Sequence, residues 1–250
     1  MVKQIPNLIT SLNLLCGCVA ALSIVFGDPL AAAVFAFLGI FFDFFDGLAA
    51  RALNAQSEVG LQLDSLADMV TSGLVPGLVM MHLLSMSVFG SDLSVWFEAL
   101  QNDAWNLSAK RWIPLVGLLI VVGSAYRLAK FNVDTRQRDH FIGLPTPANA
   151  LFILSLPLIL MYDGNLWVKD VLSNPWVLIV IAIISSLILN ANINLFSLKF
   201  KSWRFKANRV GYVFIVFSVV MLVLFKFLAI PIIIISYVIV SVLQTLLSKN

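Results

Sequence analysis

Apolar residues in this chain do not alternate with polar ones at a period of two, nor gather on one stripe of a helix. They fill whole runs of about twenty positions, the length of helix needed to cross a hydrocarbon core. Lipid leaves backbone polar groups without partners, so runs of this length cross as helices, and they are too long for barrel strands. The pattern predicts an all-α integral membrane bundle of about eight transmembrane helices. They are expected near 6–26, 29–51, 61–87, 113–133, 145–162, 174–191, 210–227 and 229–247. Pro29, Pro114, Pro145 and Pro175 stand near the starts of runs, where a missing N–H costs least. The longest polar connections are 88–112, 134–144 and 192–209, and the first carries Trp96, Trp105 and Trp112, residue types of an interfacial belt. No soluble domain, low-complexity linker or internal repeat interrupts the pattern, so residues 1–250 read as one membrane domain.

Composition agrees. The 250 residues are 60% hydrophobic and 12% charged, against about 25% charged in soluble domains. An isoelectric point near 9.0 would suggest nucleic acid in a soluble chain. Here the basic residues sit between apolar runs, so no nucleic-acid partner is expected. With both termini on one side, that side holds about three basic residues for each one opposite, and the positive-inside rule makes both termini cytoplasmic. Cys16 and Cys18 point about 200° apart on a helix and cannot pair with each other. The first run extends from Pro6 to Phe26, long for a signal-peptide core, and is expected to remain as a span.

Against this background, "FFDFFDGLAARAL" and "GLQLDSLADMV" stand out. On a helix Asp43, Asp46, Gly47 and Ala50 share one face, and Asp64 and Asp68, at i and i+4, share a face of the next span. A short connection makes the two spans antiparallel neighbours, so four carboxylates can converge near their cytoplasmic ends. Each aspartate costs roughly 2.5–3.5 kcal/mol at a span centre, less near an interface. Clustering adds repulsion that Arg51 alone does not offset. Any single one reads equally well as a capping or interfacial residue; four at this spacing do not. An all-oxygen set without nearby His or Cys suits Mg²⁺, Mn²⁺ or Ca²⁺ rather than zinc, and four carboxylates could hold two such ions. Gly47, Ala50 and Gly60 would admit a phosphorylated ligand close to the backbone.

The residues "DFFDGLAARALNAQSEVGLQLDSLAD" fit D-x2-D-G-x2-A-R-x8-G-x3-D-x3-D without departure. In this the chain resembles the CDP-alcohol phosphatidyltransferase family. The resemblance implies a CDP-linked lipid donor, a divalent metal pair (Mg²⁺ or Mn²⁺), and transfer of a phosphatidyl group to an alcohol with release of CMP. It implies six core helices, at about 6–191, with the two C-terminal spans peripheral, and a homodimer. By the same resemblance Asp43, Asp46 and Asp64 are metal ligands, and Asp68 is both ligand-adjacent and the base for the attacking hydroxyl. Gly47, Ala50, Arg51 and Gly60 would surround the CDP moiety.

Three further stretches bear on the acceptor: "IPNLITSLNLLCG", "SLADMVTSGLVPG" and "YRLAKFNVDTRQRDHFIGLPTPANA". They resemble membrane-type phosphatidylserine synthases of bacteria and archaea, with Lys130 standing where that pattern has Arg. The resemblance implies CDP-diacylglycerol as donor and L-serine as acceptor, in a multi-pass protein of a bacterial or archaeal cytoplasmic membrane with its site facing the cytoplasm. Asn7 and Thr10 would touch the donor. Arg127, whose fork matches a carboxylate, is the first candidate for serine, with Asn13, Lys130 and Asn132 as further contacts. Positive-inside anchoring accounts equally well for Arg127 and Lys130. His82 reads as interfacial, and nothing positions His140. The basic cluster Lys199 to Arg209 reads as topology and contact with anionic membrane lipids. Another acceptor (inositol phosphate, glycerol phosphate or choline) is the nearest alternative. An ion-coupled transporter is a more distant one, and would call for a broken helix at mid-membrane and repeated halves.

Overall fold

The structure is a computed structural model that describes residues 4–102, 109–133, 141–195 and 209–247. Among these the chain is almost wholly helical. Helix α1 (Ile5–Val25) leads through a turn into α2 (Pro29–Ala52). There Asp28 Oδ1 accepts the Ala31 N–H at 2.9 Å and Pro29 fills the first helical position. Helix α3 (Glu58–Asp68) starts from Ser57, whose hydroxyl accepts the Gly60 N–H at 3.0 Å. It continues without a break through a π-helical turn, Met69–Leu74, into α4 (Val75–Phe89), which ends at left-handed Gly90. Pro76 explains the wide turn: a proline clashes with the carbonyl four residues earlier, here that of Ser72, and a π-turn relieves the clash.

The amphipathic α5 (Leu93–Asn102) precedes a 3-10 segment, Ala109–Gly117, that runs into α6 (Leu118–Val133). After the short strand β1 (Phe141–Ile142) come α7 (Thr146–Tyr162), α8 (Leu166–Leu172) and α9 (Pro175–Asn190). Strand β2 (Asn194–Leu195) pairs antiparallel with β1, Phe141 opposite Leu195. Helices α10 (Arg209–Phe225) and α11 (Ala229–Leu247) are joined by a 3-10 turn at Lys226–Leu228, and the Phe214 and Tyr237 rings meet at 5.6 Å.

The expectation of eight transmembrane helices is corrected. Among the described residues five helical stretches are long and apolar enough to cross a membrane: Ile5–Val25, Pro29–Ala52, Glu58–Phe89, Ala109–Val133 and Arg209–Leu247. A sixth is reached if α8 and α9, bent by 68° at their junction, form one span. The run expected at 145–162 gives only a 17-residue helix, and the two C-terminal runs belong to one helical stretch of 39 residues. A hydropathy window registers apolar stretches but does not see where helices start, bend or join.

The core lies between α4 and α7, closed by α1, α2, α6 and α9. Met80, Leu84, Ile153, Leu154, Ile159 and Ile120 are fully buried in it. Helix α4 and the Ala109–Gly117 segment touch backbone to backbone: a β-carbon at Gly117 would stand 2.7 Å from the Gly77 carbonyl and the Met81 nitrogen. Cys16 is buried and Cys18 exposed, both as free thiols. Trp105, Asn106, Arg136, Arg138, His140, and the basic cluster from Lys199 through Lys206, fall outside the described residues.

Candidate active site

Three helices meet at the end of the bundle where α2 finishes and α3 begins. Helix α1 lies along α2, and the Thr10 hydroxyl donates to Asp46 Oδ2 at 2.6 Å, so Asp46 is buried with its carboxylate fixed. Helix α3 approaches α1 at Gly60, where a β-carbon would come within 3.0 Å of Asn7 Oδ1. That close approach sets the carboxylates of α2 against those of α3. One oxygen from each of Asp43, Asp46 and Asp64 lies within 4.8 Å of the others. Asp68 is outside this trio but next to it, within electrostatic reach of Asp43 and Asp64.

The trio fits a hard divalent cation. Its donors are all carboxylate oxygens, its members come from two rigid helices, and the repulsion of three clustered carboxylates is what a bound cation relieves. Arg51 is exposed, with its guanidinium nitrogens 3.7 and 3.9 Å from where a Gly47 β-carbon would be. The absent side chain leaves the arginine room to fold back over α2 one turn from Asp46. Ala50 is half-buried on the same helix.

A cleft of about 230 Å³ opens beside the trio. Asp64, Ser65 and Asp68 form one wall, Arg127, Phe131 and Asn132 of α6 another, and Pro145, Thr146 and Pro147 close it. Each wall is pinned. Asn132 Nδ2 donates to the Ser65 hydroxyl at 2.9 Å, tying α6 to α3. Arg127, only 4% exposed, donates from Nε to the Leu144 carbonyl at 3.4 Å and lies 5.7 Å from the Phe131 ring. Gly143, at φ +78, makes the turn that presents that carbonyl; a β-carbon there would run into Leu189 O at 2.5 Å.

Of the residues named from sequence, Asp43, Asp46 and Asp64 are gathered in the trio, and Asp68, Arg127 and Asn132 line the adjoining cleft with Asp64. Lys130 is half-buried and is not among the cleft residues. Asn13 is fully buried, also outside the cleft lining, and bonded to Thr71. His82 is buried midway along α4. Sequence reasoning passed over Ser65 and Thr71. The available signal for Thr71 was Pro76, which forces the π-turn that contains it.

Residues 3–172 match the CDP-alcohol phosphatidyltransferase profile. The chain belongs to the CDP-alcohol phosphatidyltransferase family. It is a multi-pass membrane transferase of phospholipid metabolism. Among curated relatives it is 35% identical over 158 residues to the CDP-diacylglycerol–serine O-phosphatidyltransferase of Bacillus subtilis (strain 168), covering 62% of this chain and 75% of that one. It is 31% identical over 170 residues to the enzyme of the same name from Mycobacterium bovis, covering 65% of this chain and 52% of the relative. It is also 29% identical over 161 residues to the archaetidylserine synthase of Methanothermobacter thermautotrophicus, covering 64% and 60%. The matched region thus spans three quarters of the Bacillus relative and little more than half of the Mycobacterium one.

Proposed function

We propose that this phosphatidyltransferase moves a phosphatidyl group from CDP-diacylglycerol to the hydroxyl of L-serine, yielding phosphatidylserine and CMP. The observation that carries the reading is the cleft: it sets a buried arginine and an asparagine amide across from Asp64 and Asp68, beside the aspartate trio. Free serine is a zwitterion whose carboxylate suits the planar fork of Arg127, with Asn132 as a second polar contact. Among the described residues Arg127 is the only basic side chain lining the cleft. A phosphorylated acceptor would call for more cations, and choline offers no anion to an arginine. The names borne by the relatives point the same way.

Asp43, Asp46 and Asp64, with Asp68 adjacent, would hold two divalent ions, Mg²⁺ or Mn²⁺. When bound, such ions neutralise the diphosphate oxygens and the charge gathering on the leaving nucleotide. Arg51, Gly47, Ala50 and Gly60 accommodate the CDP moiety. Asn7 borders it, and Thr10 fixes Asp46 through its hydrogen bond. Asp68 accepts the proton of the serine hydroxyl as its oxygen attacks the phosphorus linked to diacylglycerol. The new bond is serine oxygen to phosphorus, the bond broken joins that phosphorus to the bridging oxygen, and CMP leaves with that oxygen. Asn13 and Lys130 lie further from the cleft. The reading includes a cytoplasm-facing site in a bacterial or archaeal membrane and a homodimer. The carboxylates sit on α2 and on the uninterrupted helix from Glu58 to Phe89, not on the bent pair α8 and α9, so the acidic cluster is not built on the broken span a transporter calls for.

The test is CMP release from CDP-diacylglycerol by the purified protein with a panel of alcohols, each with and without chelator. Release stimulated by serine and abolished by chelation is expected. Release driven by inositol phosphate but not by serine overturns the acceptor.

A further inference from the structure

Directly after Asp68 the π-turn sends Thr71 towards α1, into a pocket between Gly17 and Gly39. β-Carbons at these two glycines would strike the Thr71 side chain. Thr71 and Asn13 are both 0% exposed. The Thr71 hydroxyl lies 2.7 Å from Asn13 Oδ1 and 3.2 Å from the Asn13 main-chain carbonyl. Asn13 Nδ2 is also buried and has no hydrogen-bond partner among the described residues. Its neighbour is the Asp68 carboxylate. A buried amide donor left without a partner is costly, so this one is expected to serve something.

The amide could be turned over, with Nδ2 on the threonine and Oδ1 towards Asp68, since a hydroxyl both donates and accepts. That orientation faces a carbonyl oxygen with a carboxylate, two acceptors with no proton between them. The other orientation gives Thr71 a good acceptor and presents an N–H donor to Asp68. Electrostatics selects it.

We infer that Asn13 and Thr71 form a positioning pair for Asp68: the Thr71 hydroxyl fixes the Asn13 amide, whose N–H group steers the Asp68 carboxylate towards the acceptor hydroxyl. Asn13 then does not contact the acceptor itself, in keeping with its place outside the cleft lining. Ser65, one turn before Asp68 on the same face, is tied by Asn132 to α6, so the segment carrying the base is held from the α6 side as well. The inference rests on the proposed role of Asp68 as proton acceptor, but on no choice of acceptor alcohol.

The experiment is steady-state CMP release with whichever alcohol supports turnover, comparing Thr71→Val, Thr71→Ser, Asn13→Ala and Asp68→Asn. Thr71→Val keeps the shape of the side chain and removes its hydroxyl. It is expected to lower kcat about tenfold while leaving the KM for the alcohol within twofold. Thr71→Ser restores the hydroxyl and is expected to recover kcat to within about threefold. Asn13→Ala is expected to follow Thr71→Val in direction with a larger loss. A KM that rises tenfold with kcat unchanged in Asn13→Ala makes Asn13 an acceptor contact and overturns the inference. Unchanged kcat in Thr71→Val, with turnover of Asp68→Asn down by about 10²-fold, also overturns it. Wild-type turnover in Asp68→Asn defeats the proposed base instead. If Thr71→Val fails to fold, Asn13→Ala carries the same split of kcat against KM.

Discussion

The continuous helix from Glu58 to Phe89 is two different objects joined end to end. In its first part, α3, Ala67 is the sole buried residue, and the polar positions Asp64, Ser65 and Asp68 turn to the trio and the cleft. In its second part, α4, ten residues are buried, among them Met80, Leu83 and Leu84 of the central core. The π-turn between them is where the helix changes phase and task. One half is anchored by packing so that the other can hold repelling carboxylates at a fixed spacing. Close packing concentrated in α4 supplies the stability that α3, with charge gathered at its end, does not.

The contrast predicts that the two halves fail in different ways. The largest effect belongs to the trio: Asp64→Asn should reduce CMP release by about 10³-fold. Chelation of the wild-type protein should abolish release, and added Mg²⁺ or Mn²⁺ restore it. Asp68→Asn should cost about 10²-fold in turnover while binding of CDP-diacylglycerol, read by equilibrium titration, persists. In the other half, Leu84→Ala should lower unfolding stability by about 2 kcal/mol or more, read as a lowered melting temperature in detergent. The KM for either substrate should stay put. A Leu84→Ala protein that melts normally but loses turnover would erase the division of labour. The smallest effect is at the helix start: Ser57→Ala removes the cap of α3 and should cost about 1 kcal/mol. A drop in donor affinity should accompany it, because Gly60 and Asn7 meet at that same turn.

Much of the site was legible beforehand because its signal is local. Two aspartates three apart and two four apart each define a helix face, and a short connection brings those faces together; Asp43, Asp46 and Asp64 did converge. Arg127 and Asn132 were named from a stretch more than sixty residues downstream, and both line the cleft beside Asp64. Asn13 was read by its chemistry alone, and packing placed it against Thr71, out of the cleft. The count of eight spans failed for a related reason: apolar length says what lipid tolerates, while the 68° bend between α8 and α9 and the joining of α10 to α11 depend on neighbours.

The order of residues alone reveals a helical membrane protein with an acidic face, chemically suited to a hard cation, on two successive helices. Hydrophobic run length and helical periodicity are properties of single segments and need no partner to be read. It takes the packed helices to show that Asp68 adjoins the trio while lining the cleft, that α6 supplies the second wall, and that Thr71 reaches Asn13. Those outcomes depend on which glycines let helices touch and on the extra backbone a proline demands, and distances between helices are set by packing rather than by order along the chain.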